Sequence, residues 1–348
     1  MKIMVILGTR PEIIKLSEII KKLDKFYDVV LVHTGQNYSP NLSDIFFNEL
    51  ELRQPDYYLN VATDNLGKTM GNILEKTYEI MLKEKPDALL VLGDTNSGLS
   101  VISAKRLKIP IFHLEAGNRC FDLNTPEEIN RKIIDHTSDI NMCYSENARQ
   151  YLINEGMKND YVFVIGSPMK EVISKIDVKY MNTEPYMVLS LHREENVDNK
   201  LEELMNRVNK VAEYFNMPII FTIHPRTKNK LNGIKLNPLI QCRDAFGFKE
   251  YLALQKNAFC VISDSGTISE EASILNFPAV SLRQAQERPE AFEKGNMLLA
   301  DDLARAIKIA TSRKCEIVEA YNDNNVSDKV VNIIESYTQI INKRVWEK

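Results

Sequence analysis

The sequence has no apolar run long enough to cross a bilayer. Its apolar segments, among them Met4 to Leu7, Ala88 to Leu92 and Val261 to Ile262, are strand-length, whereas a spanning helix needs about 20 residues. The N-terminus enters a strand with no basic and apolar signal segment ahead of it, so a cytoplasmic location is expected. Charge of one sign is also lacking: 44 Lys and Arg stand against 48 Asp and Glu, a formal net charge of −4. No basic excess is present to hold nucleic acid, and neither that partner nor a membrane is expected. Five cysteines (Cys120, Cys143, Cys242, Cys260, Cys315) show no CxxC spacing, which fits reduced thiols and excludes a disulfide framework or zinc site. Short repeats and low-complexity tracts are absent, and no metal or cofactor is assigned.

What is present is a long alternation. At 348 residues the chain is too large for one average core and suits two domains. Short β-branched runs (KIMVIL, DVVLVH, DALLVLG, IPIFHLE, DINMCY) alternate with helical stretches starting near Pro11, Leu66, Asn96 and Pro126. Continuous apolar strands separated by helices predict a parallel sheet covered on both faces. The pattern restarts after Gly166-Ser167-Pro168 with YMVLSLH, PIIFTIH, PLIQC, AFCVIS, FPAVSL and NMLLA. The expected division is therefore 1–167 and 168–327, with a hinge between about Gly166 and Pro185 and a last helix near 328–348 that packs back on the first domain.

In open α/β sheets ligands sit beyond the carboxyl ends of the strands, and those ends are polar here: Gly8-Thr9-Arg10, His33 to Gln36, Gly93-Asp94-Thr95, His113 to Glu115, His192 to Glu194, His224 to Arg226 and Asp264 to Thr267. DSGTISEE places Ser265, Gly266 and Thr267 at a helix start, where amides and the helix dipole hold phosphate; Glu270 and Glu271 follow within reach of ribose hydroxyls. Simple capping by the same residues is the competing reading. Arg10, before Pro11, fits an anion ligand or an ordinary surface arginine. TPEE predicts a capping box, Thr125 as N-cap, Pro126 at N1 and Glu128 reaching back, which leaves Glu127 to pair with Arg131 four residues on. Asp94 and Glu115 directly follow apolar strands, where an unpaired carboxylate is costly unless it serves a site. Of the strand-end histidines, His192 in HREEN is the candidate acid or base.

Taken in order from Gly8 to about Glu290, the motifs GTRPEIIKL, HTGQ, GDTNS, HLEAGNR, PEEINRKIIDH, HREEN, SDSGTISEEA and ERPE resemble the non-hydrolysing UDP-N-acetylglucosamine 2-epimerases. The resemblance implies two Rossmann-like domains in the glycosyltransferase-B arrangement with the active site in an interdomain cleft. It implies inversion at C2 of a UDP-linked 2-acetamido sugar, without cofactor, through elimination of UDP to a 2-acetamidoglycal and re-addition on the other face. By the same resemblance Asp94, Glu115 and Glu127 are the catalytic carboxylates, with His192 and Lys15 beside them. Arg10, Arg131, Tyr251, Ser265, Gly266, Thr267 and Glu271 bind UDP and substrate, Tyr251 lying where the family places a phenylalanine against uracil. A homodimer acting on a UDP-sugar is implied as well.

The sequence departs from the common family forms in places. EAGNRC stands for EAGLRS, RQAQERPE for RDTTERPE, and QNYSP replaces the stretch that serves an allosteric site in bacterial members. With GNRCFD and RQAQERPE the chain is most similar to the UDP-N-acetyl-L-fucosamine synthase branch, which epimerises UDP-2-acetamido-2,6-dideoxy-β-L-talose for capsule or O-antigen polysaccharide. Interconversion of UDP-N-acetylglucosamine and UDP-N-acetylmannosamine is the alternative. A glycosyltransferase of the same fold, which would need an acceptor and would not exchange the C2 proton, and a non-catalytic nucleotide-sugar sensor, which has no reason to retain Asp94, Glu115, Glu127 and His192 together, rank below both.

Overall fold

The computed structural model describes residues 1–36, 40–178, 184–223, 225–283, 285–299 and 301–348. They form two compact units, Met1–Lys175 with Glu319–Lys348, and Ile176–Val318.

The first unit is built on seven strands, β1 (Lys2–Leu7), β2 (Asp28–His33), β3 (Tyr57–Tyr58), β4 (Ala88–Leu92), β5 (Ile111–Leu114), β6 (Ile140–Cys143) and β7 (Val162–Val164). All pairings are parallel and the order is β3-β2-β1-β4-β5-β6-β7. Parallel neighbours require crossovers, and the crossover helices bury both sheet faces, which is why KIMVIL and ALLVL are apolar throughout rather than alternating. Helix Arg10–Leu23 shows the complementary period: Ile13, Leu16, Ile19, Ile20 and Leu23 are buried, a stripe of helical spacing facing the core. The final helix, Val326–Arg344, packs on helix Arg10–Leu23, and Lys22 bridges to Asp328. Its start is held by buried Glu171, whose carboxylate accepts from Ser327 N at 2.9 Å and from the Ser327 hydroxyl. Helix Met169–Ser174, which carries Glu171, thus belongs with this unit, and that contact takes the unit to Lys175, past Ser167.

The second unit holds β8 (Met187–Leu191), β9 (Ile219–Ile223), β10 (Ile240–Asp244), β11 (Cys260–Ser263) and β12 (Ala279–Ser281), again parallel, in the order β10-β9-β8-β11-β12. Its core gathers Met187, Leu189, Leu191, Phe221 and Ile262 under Leu204, Met205, Val208 and Val211 of helix Leu201–Phe215. NMLLA, expected as a strand, reduces to one bridge from Leu299 to Ser281. Both units are Rossmann-like α/β sheets, as expected. In each, the first strand lies between the second and the fourth, so chain order reverses between β1 and β4 and between β8 and β11. Crevices for ligands open at the carboxyl ends beside such reversals. Among the described residues no helix is long and apolar enough to cross a membrane.

Candidate active site

At the first reversal the ends of β1, β2 and β4 are knitted tightly. Thr34 and Ser97 hydroxyls meet at 2.7 Å, and Gln36 Oε1 accepts from Ser97 N and Oγ, each at 3.0 Å. A Cβ on Gly8 would fall 2.1 Å from Thr34 Oγ1 and 2.3 Å from Ser97 Oγ, so only glycine fits between the loops. Glu12, in the first turn of helix Arg10–Leu23, is buried in this knot. It accepts from Gly8 N (3.0 Å), Thr9 Oγ1 (2.7 Å) and Thr95 Oγ1 (3.1 Å). Burial pushes its carboxyl up to about 7 against the pull of those donors. Sequence reasoning passed over Glu12 because an acid in a first helical turn reads as dipole compensation. Arg10 is exposed, with its guanidinium 5.5 Å from the Phe46 ring centre.

Asp94 leaves β4 through Gly93, whose φ is +72°. Arg131 grips it, Nε at 2.8 Å and Nη2 at 2.6 Å from Asp94 Oδ2, and Asn130 Nδ2 donates to its carbonyl at 3.0 Å. Both come from helix Pro126–Thr137, which starts with Thr125 as N-cap and Pro126 at N1 as read from the sequence. The capping box does not form. Thr125 makes no side-chain cap bond, and its N–H is already taken by the Asp122 carbonyl at 3.1 Å. Glu128 instead accepts from Cys120 N (3.1 Å), Phe121 N (3.2 Å), Cys120 Sγ (3.3 Å) and Arg131 Nη1 (3.0 Å). Burial pushes its carboxyl up, but the Cys120 donors and the Arg131 charge outweigh it and hold it below the usual carboxylate range. Arg131 thus joins Asp94 to Glu128. Glu127 is half-buried in the same first turn.

Glu115 follows β5 with φ +62°, a left-handed conformation that costs a non-glycine residue about 1 kcal/mol or more. Lys15 holds it there, Nζ to Oε2 at 2.6 Å, with the lysine only 2% exposed and 5.2 Å from the Tyr144 ring centre. Behind both carboxylates lies a buried polar chain. His113 Nε2 is 2.8 Å from the Gly93 carbonyl, and its Nδ1 lies 2.9 Å from Asp135 Oδ1, off the axis of a good hydrogen bond. Asp135 accepts from Gly117 N (3.2 Å) and Arg119 Nη1 (2.7 Å), and Arg119 engages Glu155 at 2.8 and 2.6 Å. Burial raises the Asp135 carboxyl, while His113 and Arg119 more than offset this and keep it low. The chain sets both turns that present Asp94 and Glu115.

At the second reversal, His192 and Arg193 follow β8 and the DSGT loop follows β11. Asp264, fully buried, accepts from His192 N at 3.1 Å and Arg193 N at 3.1 Å, and His192 Nδ1 lies 3.1 Å from its Oδ1. Ser265 and Thr267 hydroxyls meet at 3.0 Å, and Thr267 passes on to Glu271 Oε1 at 2.8 Å. Glu271 Oε2 accepts from buried Gln255 at 2.7 Å. Gly266 packs so closely that a Cβ would lie 3.2 Å from Glu287 Oε1, and Glu287 is doubly bonded to Arg283 at 2.9 and 2.7 Å. Arg288 pairs with buried Glu270 at 2.5 Å, so Glu270 braces ERPE while Glu271 stays beside the helix start. Tyr251 is half-buried in the first turn of helix Phe248–Lys256. His224 and Gln284, singled out in the sequence, lie outside the described residues, as do Asn37, Tyr38 and Ser39 of QNYSP.

The first unit thus concentrates carboxylates held by buried cations at strand ends, and the second offers a small-residue helix start flanked by an acceptor for hydroxyls. Acid–base work on one side and anion binding on the other are what these groups can do. Residues 21–335 match the family described as UDP-N-acetylglucosamine 2-epimerase. A structure of UDP-N-acetylglucosamine 2-epimerase from Rickettsia bellii is 46% identical with TM-score 0.93, covering 100% of both chains. The Methanocaldococcus jannaschii UDP-GlcNAc 2-epimerase, solved in complex with UDP-GlcNAc and UDP, is 38% identical with TM-score 0.90 over 97% of this chain and 100% of that one. A Pseudomonas aeruginosa UDP-2,3-diacetamido-2,3-dideoxy-D-glucuronate 2-epimerase is 34% identical over 86% of this chain and 88% of its own length. The chain belongs to the UDP-N-acetylglucosamine 2-epimerase family and is an isomerase of UDP-sugars.

Proposed function

We propose that the chain inverts C2 of UDP-2-acetamido-2,6-dideoxy-β-L-talose to give UDP-N-acetyl-L-fucosamine for a capsule or O-antigen polysaccharide. The observation that carries the choice of sugar is the surroundings of the departures in EAGNRC. Cys120 Sγ lies 3.3 Å from Glu128 Oε2 and 3.7 Å from Arg131 Nη1, the arginine that holds Asp94. Asn118 is buried and gives its carbonyl to Arg119 Nη1 at 2.8 Å. Of the positions where this chain leaves the common family form, Cys120 therefore abuts Glu128 and the arginine that holds Asp94, and Asn118 stands two residues before it.

In the proposed reaction the C1–O bond to UDP breaks as the C2 proton leaves, its electrons forming the C1–C2 double bond of the glycal. A proton returns to the opposite face of C2 and UDP re-adds at C1. Asp94, Glu115 and Glu127 take and return protons. Lys15 and Arg131 hold the first two carboxylates in place. Ser265, Gly266, Thr267 and Arg10 take the diphosphate, whose departure is eased by donors meeting its growing charge. Glu271 accepts from the ribose, Tyr251 lies against uracil and His192 serves as an acid or base at the diphosphate end. Function as a homodimer in the cytoplasm accompanies this reading.

Interconversion of UDP-N-acetylglucosamine and UDP-N-acetylmannosamine is the competing reading, favoured by the names of the Rickettsia and Methanocaldococcus relatives. Incubation with each UDP-sugar in deuterium oxide, watching C2 by NMR, decides. Deuterium entry at C2 with inversion is expected for the 6-deoxy-L-sugar. Efficient turnover of UDP-N-acetylglucosamine with none of the 6-deoxy-L-sugar would overturn the assignment, and no C2 exchange with any UDP-sugar would remove the epimerase mechanism.

A further inference from the structure

Asp264 accepts from more donors than a turn requires. It is fully buried at the end of β11, and its backbone N–H reaches across to Ser190 O of β8 at 3.3 Å. Its carboxylate accepts from the backbone of His192 (3.1 and 3.2 Å) and Arg193 (3.1 Å) and from the Asn196 side chain (3.1 Å). The fourth group facing it is the imidazole of His192, Nδ1 at 3.1 Å from Oδ1. Capping alone would be served by a neutral side chain, and a fully buried carboxylate is costly unless its charge is used. The charge here meets one titratable ring, and that ring is 35% exposed while the carboxylate is not exposed at all.

We infer that Asp264 is the positioning residue of His192. It fixes the imidazole in the tautomer with the proton on Nδ1 and turns Nε2 away from itself, toward the substrate. Which nitrogen carries the proton is set by the partner of the other one, and a carboxylate at Nδ1 both selects the tautomer and stabilises positive charge on the ring. Asp264 also precedes Ser265, whose hydroxyl leads through Thr267 to Glu271. One short segment thus sets the diphosphate loop and the histidine in fixed register, so that the ring addresses the phosphate end of a nucleotide seated there. The inference deepens the proposed reaction and rests on it for the role of His192.

The test begins with the unmodified protein. Long-range proton–nitrogen correlation spectra of the five histidines should show His192 with Nδ1 protonated and Nε2 as the bare nitrogen, and added UDP should shift its ring signals. In Asp264→Asn the ring should change tautomer or average between the two, with kcat down about a hundredfold and KM altered less than threefold. Asn196→Ala keeps the carboxylate and should keep both the tautomer and most of kcat. An Nε2-protonated ring in the unmodified protein, or an unchanged tautomer in Asp264→Asn, overturns the inference. His192→Ala separates it from the function: wild-type turnover there removes the histidine from the reaction while leaving the tautomer result standing.

Discussion

Arg131 holds one oxygen of Asp94 with two nitrogens, Nε at 2.8 Å and Nη2 at 2.6 Å, and spends its remaining nitrogen on Glu128 at 3.0 Å. The planar fork does this in one fixed geometry, whereas a lysine has three donors on a single nitrogen and cannot place two nitrogens on Asp94 while a third reaches Glu128. Arg131→Lys is therefore expected to lower kcat by about a hundredfold, like Asp94→Asn itself, with UDP affinity by calorimetry unchanged. Equal losses of turnover and UDP affinity would place Arg131 on the nucleotide instead.

The Lys15–Glu115 pair is the second constraint, closed at 2.6 Å with Lys15 2% exposed. Removing one partner of such a pair strands a charge, at a cost of about 3 kcal/mol. Lys15→Met and Glu115→Gln should each lower the melting temperature clearly, and the double variant by much less than the sum, because the second change removes the charge that the first left behind. Additive losses would show that the two groups do not depend on each other.

Glu12 makes stability depend on pH. Its carboxyl is raised by burial to about 7, so the folded chain holds a proton that the unfolded chain has released. The stability contributed by that proton is fully present below about 4.5 and is lost as pH rises through about 7. Glu12→Gln is neutral at every pH. Relative to wild type it should gain on the order of 2–3 kcal/mol between pH 4.5 and 8, read as a rising difference in urea midpoint. A constant difference would mean that Glu12 stays charged in the fold.

Glu128→Gln separates what was legible in the sequence from what was not. The parallel strands could be read because continuous apolar runs between helical periods have one packing solution, and the polar strand ends followed from it. The two-residue β3 and three-residue β7 carry too little pattern to be seen, and NMLLA has the composition of a strand yet forms a single bridge. TPEE has the spacing of a capping box, but spacing does not reveal that Asp122 already satisfies the Thr125 N–H or that the turn at Cys120 and Phe121 presents donors to Glu128. Asp264 could be read as a polar strand end, but its bonds to His192, 72 residues away, have no local signature, and Glu12 looks like an ordinary first-turn acid because its bond to Thr95 crosses 83 residues. On the capping reading Glu128→Gln is mild. On the structure it removes the charge opposite Arg131, and the variant should lose turnover at least tenfold. Wild type, whose Glu128 carboxyl is held low, should also shed more stability than the variant as pH falls through about 4.5.

Glu271 and Ser265 test the nucleotide end. Glu271 lies at a helix start with its two oxygens on Thr267 and Gln255. Glu271→Gln keeps the size but weakens acceptance of ribose hydroxyls, so UDP should bind about tenfold more weakly, a loss of a charge-assisted bond. Ser265→Ala removes the hydroxyl that meets Thr267 at 3.0 Å and should cost several-fold. Unchanged UDP affinity in both would move the nucleotide away from this loop.

The sugar should be set by the loop before helix Pro126–Thr137. Cys120 gives its thiol to Glu128 at 3.3 Å and touches Arg131 at 3.7 Å, so its size and donor strength tune how Glu128 shares the arginine with Asp94. Serine is smaller and a stronger donor; in its place Glu128 would lean on the hydroxyl and Arg131 would settle further on Asp94. Asn118, 6% exposed, supplies hydrogen-bonding capacity that the leucine of the common family form lacks. A pocket shaped for the methyl of a 6-deoxy sugar rejects an added hydroxyl by only about a hundredfold. Wild type should therefore favour the UDP-2-acetamido-2,6-dideoxy-L-hexose pair strongly while leaking slowly on UDP-N-acetylglucosamine. The double variant Asn118→Leu with Cys120→Ser should shift the ratio of kcat/KM for the two sugars by at least tenfold toward UDP-N-acetylglucosamine. An unchanged ratio, with both sugars slowed alike, would show that this loop governs the acid–base groups and that the sugar is chosen elsewhere.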